Sequence, residues 1–208
     1  MEYLFVSWED IERLTARLAV EIRGRGFKPD IIVGVSRGGL APTRILSDFL
    51  DVRDVIILGV AFYEEIGITG SEPIITHPLS RGIRGKRVIL LDDVSDTGGS
   101  LAIAKKHVES LEPSEMLVCT LHRKPWSTCD PDIFIEETDR WIIYGWEKVE
   151  AAEHIREGMG ADGNYRESLR AAGFSEEDIE LLELLGIESA DPDSPSHQYR
   201  DGGYDDHE

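Results

Sequence analysis

Val88-Ile89-Leu90-Leu91-Asp92-Asp93-Val94-Ser95-Asp96-Thr97-Gly98-Gly99-Ser100 decides how the rest of the chain is read. Four apolar residues, two adjacent carboxylates and a Ser/Thr/Gly turn lead into a segment with helical spacing. The apolar run reads as a parallel strand covered on both faces. Asp92 and Asp93 fall at its carboxyl end, where open α/β sheets place their ligands. Thr97-Gly98-Gly99-Ser100 sets small residues and N–H groups at a helix start, where the dipole favours an anion. Amides that hold a phosphate, beside carboxylates that hold hydroxyls, suit a sugar phosphate. The plainer alternative is a strand–turn–helix with a solvated acidic loop. That arrangement leaves two adjacent acids at a strand end with no ligand to offset their cost.

Composition narrows the field. The 208 residues fit one domain with appendages, and a hydrophobic fraction of 41% is enough for a core. No apolar run approaches the length of a membrane span. The start, Met1-Glu2-Tyr3-Leu4-Phe5-Val6, lacks the basic head and long apolar stretch of a signal peptide. Cys119 and Cys129 form no CxxC pair, which fits a reduced cytoplasmic compartment. A net charge of −19 argues against non-specific nucleic-acid binding. Arg81, Arg84, Lys86 and Arg87, just before the central strand, offer local positive charge for a polyanionic substrate, as does Arg37.

Ser7-Trp8-Glu9-Asp10 reads as a helix start, and Ile11, Leu14, Leu18 and Ile22 continue at helical spacing. Strands are expected at 30–35, 55–61, 88–91, 116–121 and 133–135, with helices at 38–50 and 100–111. Residues 62–85 read as a long functional loop with at most a marginal hairpin. Strands alternating with helices predict an α/β fold built on a parallel sheet. Short helices are expected at 151–158, 165–172 and 175–185, the last capped by Ser175 with Asp178. The chain then divides into a domain over 1–150, a helical extension over 151–187 and a disordered acidic tail over 188–208.

Three further clusters bear on chemistry. Ser36-Arg37-Gly38-Gly39 follows a strand and opens a helix, so its backbone can approach a ligand while Arg37 pairs with phosphate. It also reads as a plain βα turn. Lys124-Pro125 lies just past a strand, where the ordinary reading is a surface lysine. Trp141-Ile142-Ile143-Tyr144-Gly145-Trp146-Glu147 reads either as packed core aromatics or as a platform for a flat ring.

All 13 positions from Val88 to Ser100 resemble the phosphoribosyl-pyrophosphate (PRPP) signature of the type I phosphoribosyltransferases. The wording of the other clusters is similar to the xanthine–guanine and hypoxanthine (6-oxopurine) branch, and the resemblance spans roughly residues 5–150. It implies a parallel-sheet phosphoribosyltransferase core with flanking helices, the helical extension and acidic tail lying outside it. The implied activity is transfer of the 5-phosphoribosyl group of PRPP to xanthine, guanine or hypoxanthine, in purine salvage. In that reading Asp92, Asp93, Ser95, Thr97, Gly98, Gly99 and Ser100 bind PRPP, and Asp96 is the catalytic residue, acting as a general base or steering the ring proton. Ser36, Arg37, Gly38 and Gly39 bind pyrophosphate, with a cis peptide between Ser36 and Arg37. Lys124 donates to the purine 6-oxygen, Trp141 stacks on the base and the backbone near Ile142 reads its 2-position. Tyr63 begins a mobile loop. Mg²⁺ is the implied cofactor, with Asp92, Asp93 and Glu147 as its candidate ligands. Gly145 and Glu147 stand where the bacterial members have proline and aspartate. The family's habit of assembly implies a homodimer or homotetramer. An adenine or other-base transferase, or a catalytically silent PRPP-sensing regulator, is the alternative.

Overall fold

A computed structural model describes residues 2–63, 72–159 and 164–187. In chain order its elements are β1 (Tyr3–Val6), α1 (Trp8–Gly24), β2 (Ile31–Ser36), α2 (Leu40–Phe49), β3 (Val55–Tyr63), β4 (Glu72–His77) and β5 (Arg87–Ser95). There follow α3 (Gly99–Ser110), β6 (Glu115–Arg123), β7 (Ile133–Glu137), β8 (Trp141–Tyr144), α4 (Lys148–Glu157), α5 (Tyr165–Ala171) and α6 (Glu176–Leu184). They fall into two compact units, Glu9–Asp139 and Met1–Trp8 with Arg140–Glu208.

The larger unit holds a six-stranded sheet in the order β4-β3-β2-β5-β6-β7. Every neighbouring pair is parallel except β3 with β4. Unbroken apolar runs make its centre because both faces are covered. Ile31, Val33 and Val35 of β2 join Val88 and Leu90 of β5 and Leu101, Ala104 and Val108 of α3 in one core. Alternation turns Ile32, Ile89 and Leu91, all fully buried, to the opposite face. Among the described residues no helix is long and apolar enough to cross a membrane.

Two expectations change here. The 62–85 segment contains a six-residue edge strand, β4, paired antiparallel to β3 across a bulge at Gly59/Val60. An edge strand with a mostly exposed pattern carries no clean apolar alternation, so its sequence looks like loop. The basic cluster also moves away from the expected ligand end. Arg81 pairs with Asp54, Arg84 with Glu112 and Arg87 with Asp30, the last at 3.2 Å. These residues sit at the amino end of β5, and at about 3.3 Å per residue the strand puts roughly 26 Å between Arg87 and Ser95. They neutralise neighbouring acids and lend no charge to the carboxyl end.

The smaller unit pairs β1 with β8 in parallel, Leu4 opposite Ile142. Its core joins Ile143 to Ala152, Ile155, Leu169, Phe174, Ile179 and Leu182, with Tyr3 and Phe5 packed against them. The capping box of α6 is formed as read: Ser175 Oγ accepts from Asp178 N and Asp178 Oδ2 from Ser175 N. The helices of the extension therefore share one core with the first strand of the chain.

Candidate active site

β2 and β5 are neighbours, yet the chain leaves β2 for β3 on one side and β5 for β6 on the other. Such a reversal leaves a crevice outside the carboxyl ends of the two strands, where open α/β sheets bind ligands. The loops leaving these strands are Ser36–Gly39 and Asp96–Gly98.

The first loop is held by close approach. The Ser36–Arg37 peptide is cis. A Cβ on Gly38 would lie 2.3 Å from Oδ2 of Asp93. A Cβ on Gly39 would lie 2.6 Å from the carbonyl oxygens of both Val35 and Leu91. Only glycine lets this turn press against β5 and still open α2. Arg37 is exposed on the same turn.

Asp92 and Asp93 lie inside β5 rather than beyond it, because β6 continues the ladder to Ser95↔Arg123. Each is only 7% exposed. Asp92 Oδ1 accepts from Asp93 N at 3.0 Å, and Asp93 Oδ1 from Val94 N at 2.8 Å. Burial, then the neighbouring Asp93 charge, holds the Asp92 carboxyl well above its usual range. Burial likewise raises Asp93 to about 6. Two buried carboxylates side by side suit a hard cation or sugar hydroxyls. Among the described residues no group of three or more His, Cys, Asp or Glu could hold a metal. Mg²⁺ commonly takes one or two carboxylates and completes its shell from substrate oxygens and water, so the pair fits that ion.

The second loop is held from outside. Gly98 has φ +89°, and a Cβ there would also lie 2.5 Å from Cys129 N. Residues 124–129 run beside 95–98 and fasten to it. Lys124 N donates to Ser95 O at 3.0 Å, while Thr128 N and Oγ1 donate to Thr97 O at 3.1 and 2.7 Å. Ser95 Oγ donates to Cys129 O and shares a 2.8 Å hydrogen bond with Ser127 Oγ. Ser95 is 1% exposed, so its hydroxyl anchors the loop. Thr97, Gly99 and Ser100 stay at the opening of α3, where first-turn amides lack intrahelical acceptors.

Asp96 is exposed, and its Oδ1 accepts from Trp126 Nε1 at 3.0 Å. Lys124 is 4% exposed, which excludes the surface-lysine reading. Burial lowers its pKa, opposed by the charges of Asp96 and Asp139. His122 beside it is 1% exposed, with burial lowering it to about 4. Arg123 is held by Asp130 and Glu137. The 124–129 fastening was invisible in the sequence, since its bonds join residues some 30 apart and leave no local pattern; the sole hint was the density of Ser and Thr there.

Trp141, Ile142 and Glu147 belong to the smaller unit. Trp141 is 46% exposed, and the His154 ring of α4 stacks on it with centroids 4.9 Å apart. Ile142 is buried in the ladder with β1. Glu147 caps α4 with its backbone, its carbonyl accepting from Ala151 N at 2.9 Å. Trp146 stacks on Tyr144 at 4.7 Å and meets Trp8 edge-on at 5.7 Å, so it is a packed aromatic. Gly145 abuts this cluster, since a Cβ there would lie 3.1 Å from the Trp8 ring. Tyr63 ends β3, while its side chain and residues 64–71 lie outside the described residues, as does 188–208.

A family model described as a phosphoribosyl transferase domain matches residues 6–152. The chain belongs to this family. Xanthine phosphoribosyltransferase 1 of Saccharomyces cerevisiae is 27% identical, over 74% of this chain and 93% of its own length. A xanthine-guanine phosphoribosyltransferase of Cereibacter sphaeroides is 30% identical, over 76% of this chain and 93% of its own. The structure of a purine phosphoribosyltransferase from Pyrococcus horikoshii superposes with TM-score 0.64 at 36% identity, covering 70% of this chain and 94% of that one. A hypothetical protein from Neisseria gonorrhoeae with bound ppGpp superposes with TM-score 0.63 at 25% identity, covering 82% and 96%. The α/β fold expected from the sequence is therefore the phosphoribosyltransferase fold, and this phosphoribosyltransferase is a pentosyl-transferring enzyme.

Proposed function

We propose that this phosphoribosyltransferase transfers the 5-phosphoribosyl group of PRPP to a 6-oxopurine, namely xanthine, guanine or hypoxanthine, releasing pyrophosphate, in cytoplasmic purine salvage. The observation that supports the reading most is Lys124. A buried ammonium beside Asp96, at the ligand end of the sheet, donates to a 6-oxo group and finds no acceptor in a 6-amino group. The names of the relatives point the same way.

In this reading Asp92 and Asp93 hold the ribose 2′ and 3′ hydroxyls. The amides of Thr97 to Ser100 hold the 5′-phosphate at the α3 N-terminus. The Ser36–Gly39 loop receives the pyrophosphate, with Arg37 pairing its oxygens. As the C1′–oxygen bond breaks, the sugar becomes cation-like and a purine ring nitrogen attacks. Asp96 accepts the ring proton, a contribution of about 10²–10⁴-fold for a positioned base. Stabilising the separating charges is the larger task. Enzymes of this family generally use Mg²⁺ with PRPP. Asp92 and Asp93, with Glu147 as a further candidate, would hold it, and the chemistry it supplies when bound is neutralisation of developing negative charge. Trp141 and Ile142 take the base-contact roles on resemblance alone, as do the loop begun by Tyr63 and a homodimeric or homotetrameric assembly. The catalytic domain is assigned to 1–150, with 151–187 as its helical extension and 188–208 as an acidic tail.

The test is nucleotide formation from PRPP and Mg²⁺ with xanthine, guanine, hypoxanthine and adenine in turn. Product is expected with at least one 6-oxopurine and not with adenine. Lys124→Ala should erode the preference for guanine over adenine. Efficient use of adenine by the parent would overturn the Lys124 role, and no product with any base would leave a PRPP-sensing regulator.

A further inference from the structure

Trp126 has no part in the mechanism above, and no core holds it, since it is 52% exposed. Its place is set by the turn it occupies. Ser127 N donates to Lys124 O at 3.0 Å, and the turn is tied at both ends to the second loop, through Lys124 N to Ser95 O and Thr128 N to Thr97 O. Held there, the indole makes two contacts. Its Nε1–H donates to Asp96 Oδ1 at 3.0 Å. Its ring face lies under the Lys124 ammonium, with Nζ 5.4 Å from the centroid.

An exposed aspartate at a loop tip has several rotamers open to it, and a single fixed donor selects one. The indole N–H suits that task because it donates only and cannot itself take the proton. It engages Oδ1, which leaves Oδ2 to meet a substrate. A desolvated ammonium over an indole face is likewise held by the ring quadrupole. We propose that Trp126 is a positioning residue that sets both groups at once: its N–H orients Asp96 and its ring face orients Lys124. The carboxylate that takes the ring proton and the ammonium that reads the 6-oxygen are thereby registered to each other by one side chain. This inference rests on the 6-oxopurine reading above.

Two variants separate the two contacts. Trp126→Phe keeps a ring face and loses the N–H. It should lower kcat about 10-fold, leave KM for PRPP unchanged and retain the preference for guanine over adenine. Trp126→Ala loses both contacts and should lower kcat similarly while reducing that preference at least fivefold. A merely structural role would lower kcat and raise KM together in both variants and would not split preference from turnover. A readout independent of turnover is the indole ¹⁵N–¹H spectrum, in which Asp96→Asn should shift the Trp126 resonance and leave those of Trp8, Trp141 and Trp146 in place. An active parent with a Trp126→Phe variant of parental kcat overturns the inference, as does a Trp126 resonance indifferent to Asp96→Asn. If Trp126→Ala does not fold, the Phe variant and the spectrum still decide. A parent inactive with every base overturns the 6-oxopurine reading and this inference with it.

Discussion

The two loops at the ligand end of the sheet are held in opposite ways. Ser36–Gly39 is shaped by what is missing: two glycines let it press against the Asp93 carboxylate and the carbonyls of Val35 and Leu91. Asp96–Gly98 is shaped by what is added: residues 124–129 bond to it and to Ser95 just before it through the amides of Lys124 and Thr128, the hydroxyls of Ser127 and Thr128, the Cys129 carbonyl and one indole. The first loop has no room for an atom more. The second depends on hydrogen bonds supplied from the turn that follows β6. Within one site, one loop is thus held by the close approach of its glycines to β5 and the other by hydrogen bonds from a distant segment.

The largest expected effect breaks the first loop. Gly38→Ala drives a methyl group into the Asp93 carboxylate, and displacing a binding group by about 1 Å commonly costs on the order of 100-fold. Steady-state kcat/KM should fall by about that factor while the circular dichroism spectrum stays native. A variant within threefold of the parent would show the contact to be slack.

Next comes the acid it touches. Asp93 is raised to about 6 from its ordinary 3.8 by burial, so the folded protein takes up a proton the unfolded chain does not. The stability this provides is present below about pH 3.8 and is lost as the pH rises to about 6, with no further change above. Asp93→Asn has no such loss. Its stability relative to the parent should therefore climb across that window in metal-free buffer, with Asp92, relieved of the Asp93 charge, adding in the same direction. His122, lowered to about 4, slopes the other way in an overlapping range, so the parent–variant difference in urea midpoints is the quantity to follow. Mg²⁺ with PRPP should shrink the difference above pH 6. A difference independent of pH would mean that Asp93 ionises normally.

In the second loop, Gly98→Ala meets both a left-handed backbone and the Cys129 amide, for a loss of about 2 kcal/mol in urea unfolding. The smallest effect comes from removing one fastening. Ser127→Ala deletes one of the two partners of Ser95 Oγ and should cost about 1 kcal/mol, with KM for PRPP rising rather than kcat falling. If Ser127→Ala proved as damaging as Gly38→Ala, the contrast between the loops would fail.

The same contrast explains what could be read from the sequence. Asp92 and Asp93 end one strand just before the α3 start, and Gly38 and Gly39 follow another strand and open a helix, so local order announces all of them even though the glycines press on β5. The parallel sheet was legible because its buried strands are continuous apolar runs. Trp126, Ser127 and Thr128 act across the gap between two loops, and β4 pairs only along an exposed edge, so neither leaves a periodic trace. Arg81, Arg84 and Arg87 misled for a related reason. Nearness along the chain to Asp92 became distance along a strand, at whose far end they meet Asp54, Glu112 and Asp30.

The pairing of β1 with β8 also bears on how the protein is made. Val6 leaves the ribosome about 135 residues before Trp141, an interval of roughly 7 to 27 s at ordinary rates of synthesis. Every strand of the six-stranded sheet is synthesised in that interval. Tyr3 and Phe5 meanwhile wait without the strand and helices that will cover them. The first strand is therefore covered only once β8 and the helices after it are made, and a nascent or prematurely terminated chain ending near residue 140 would present it without its partner strand to chaperones and proteases.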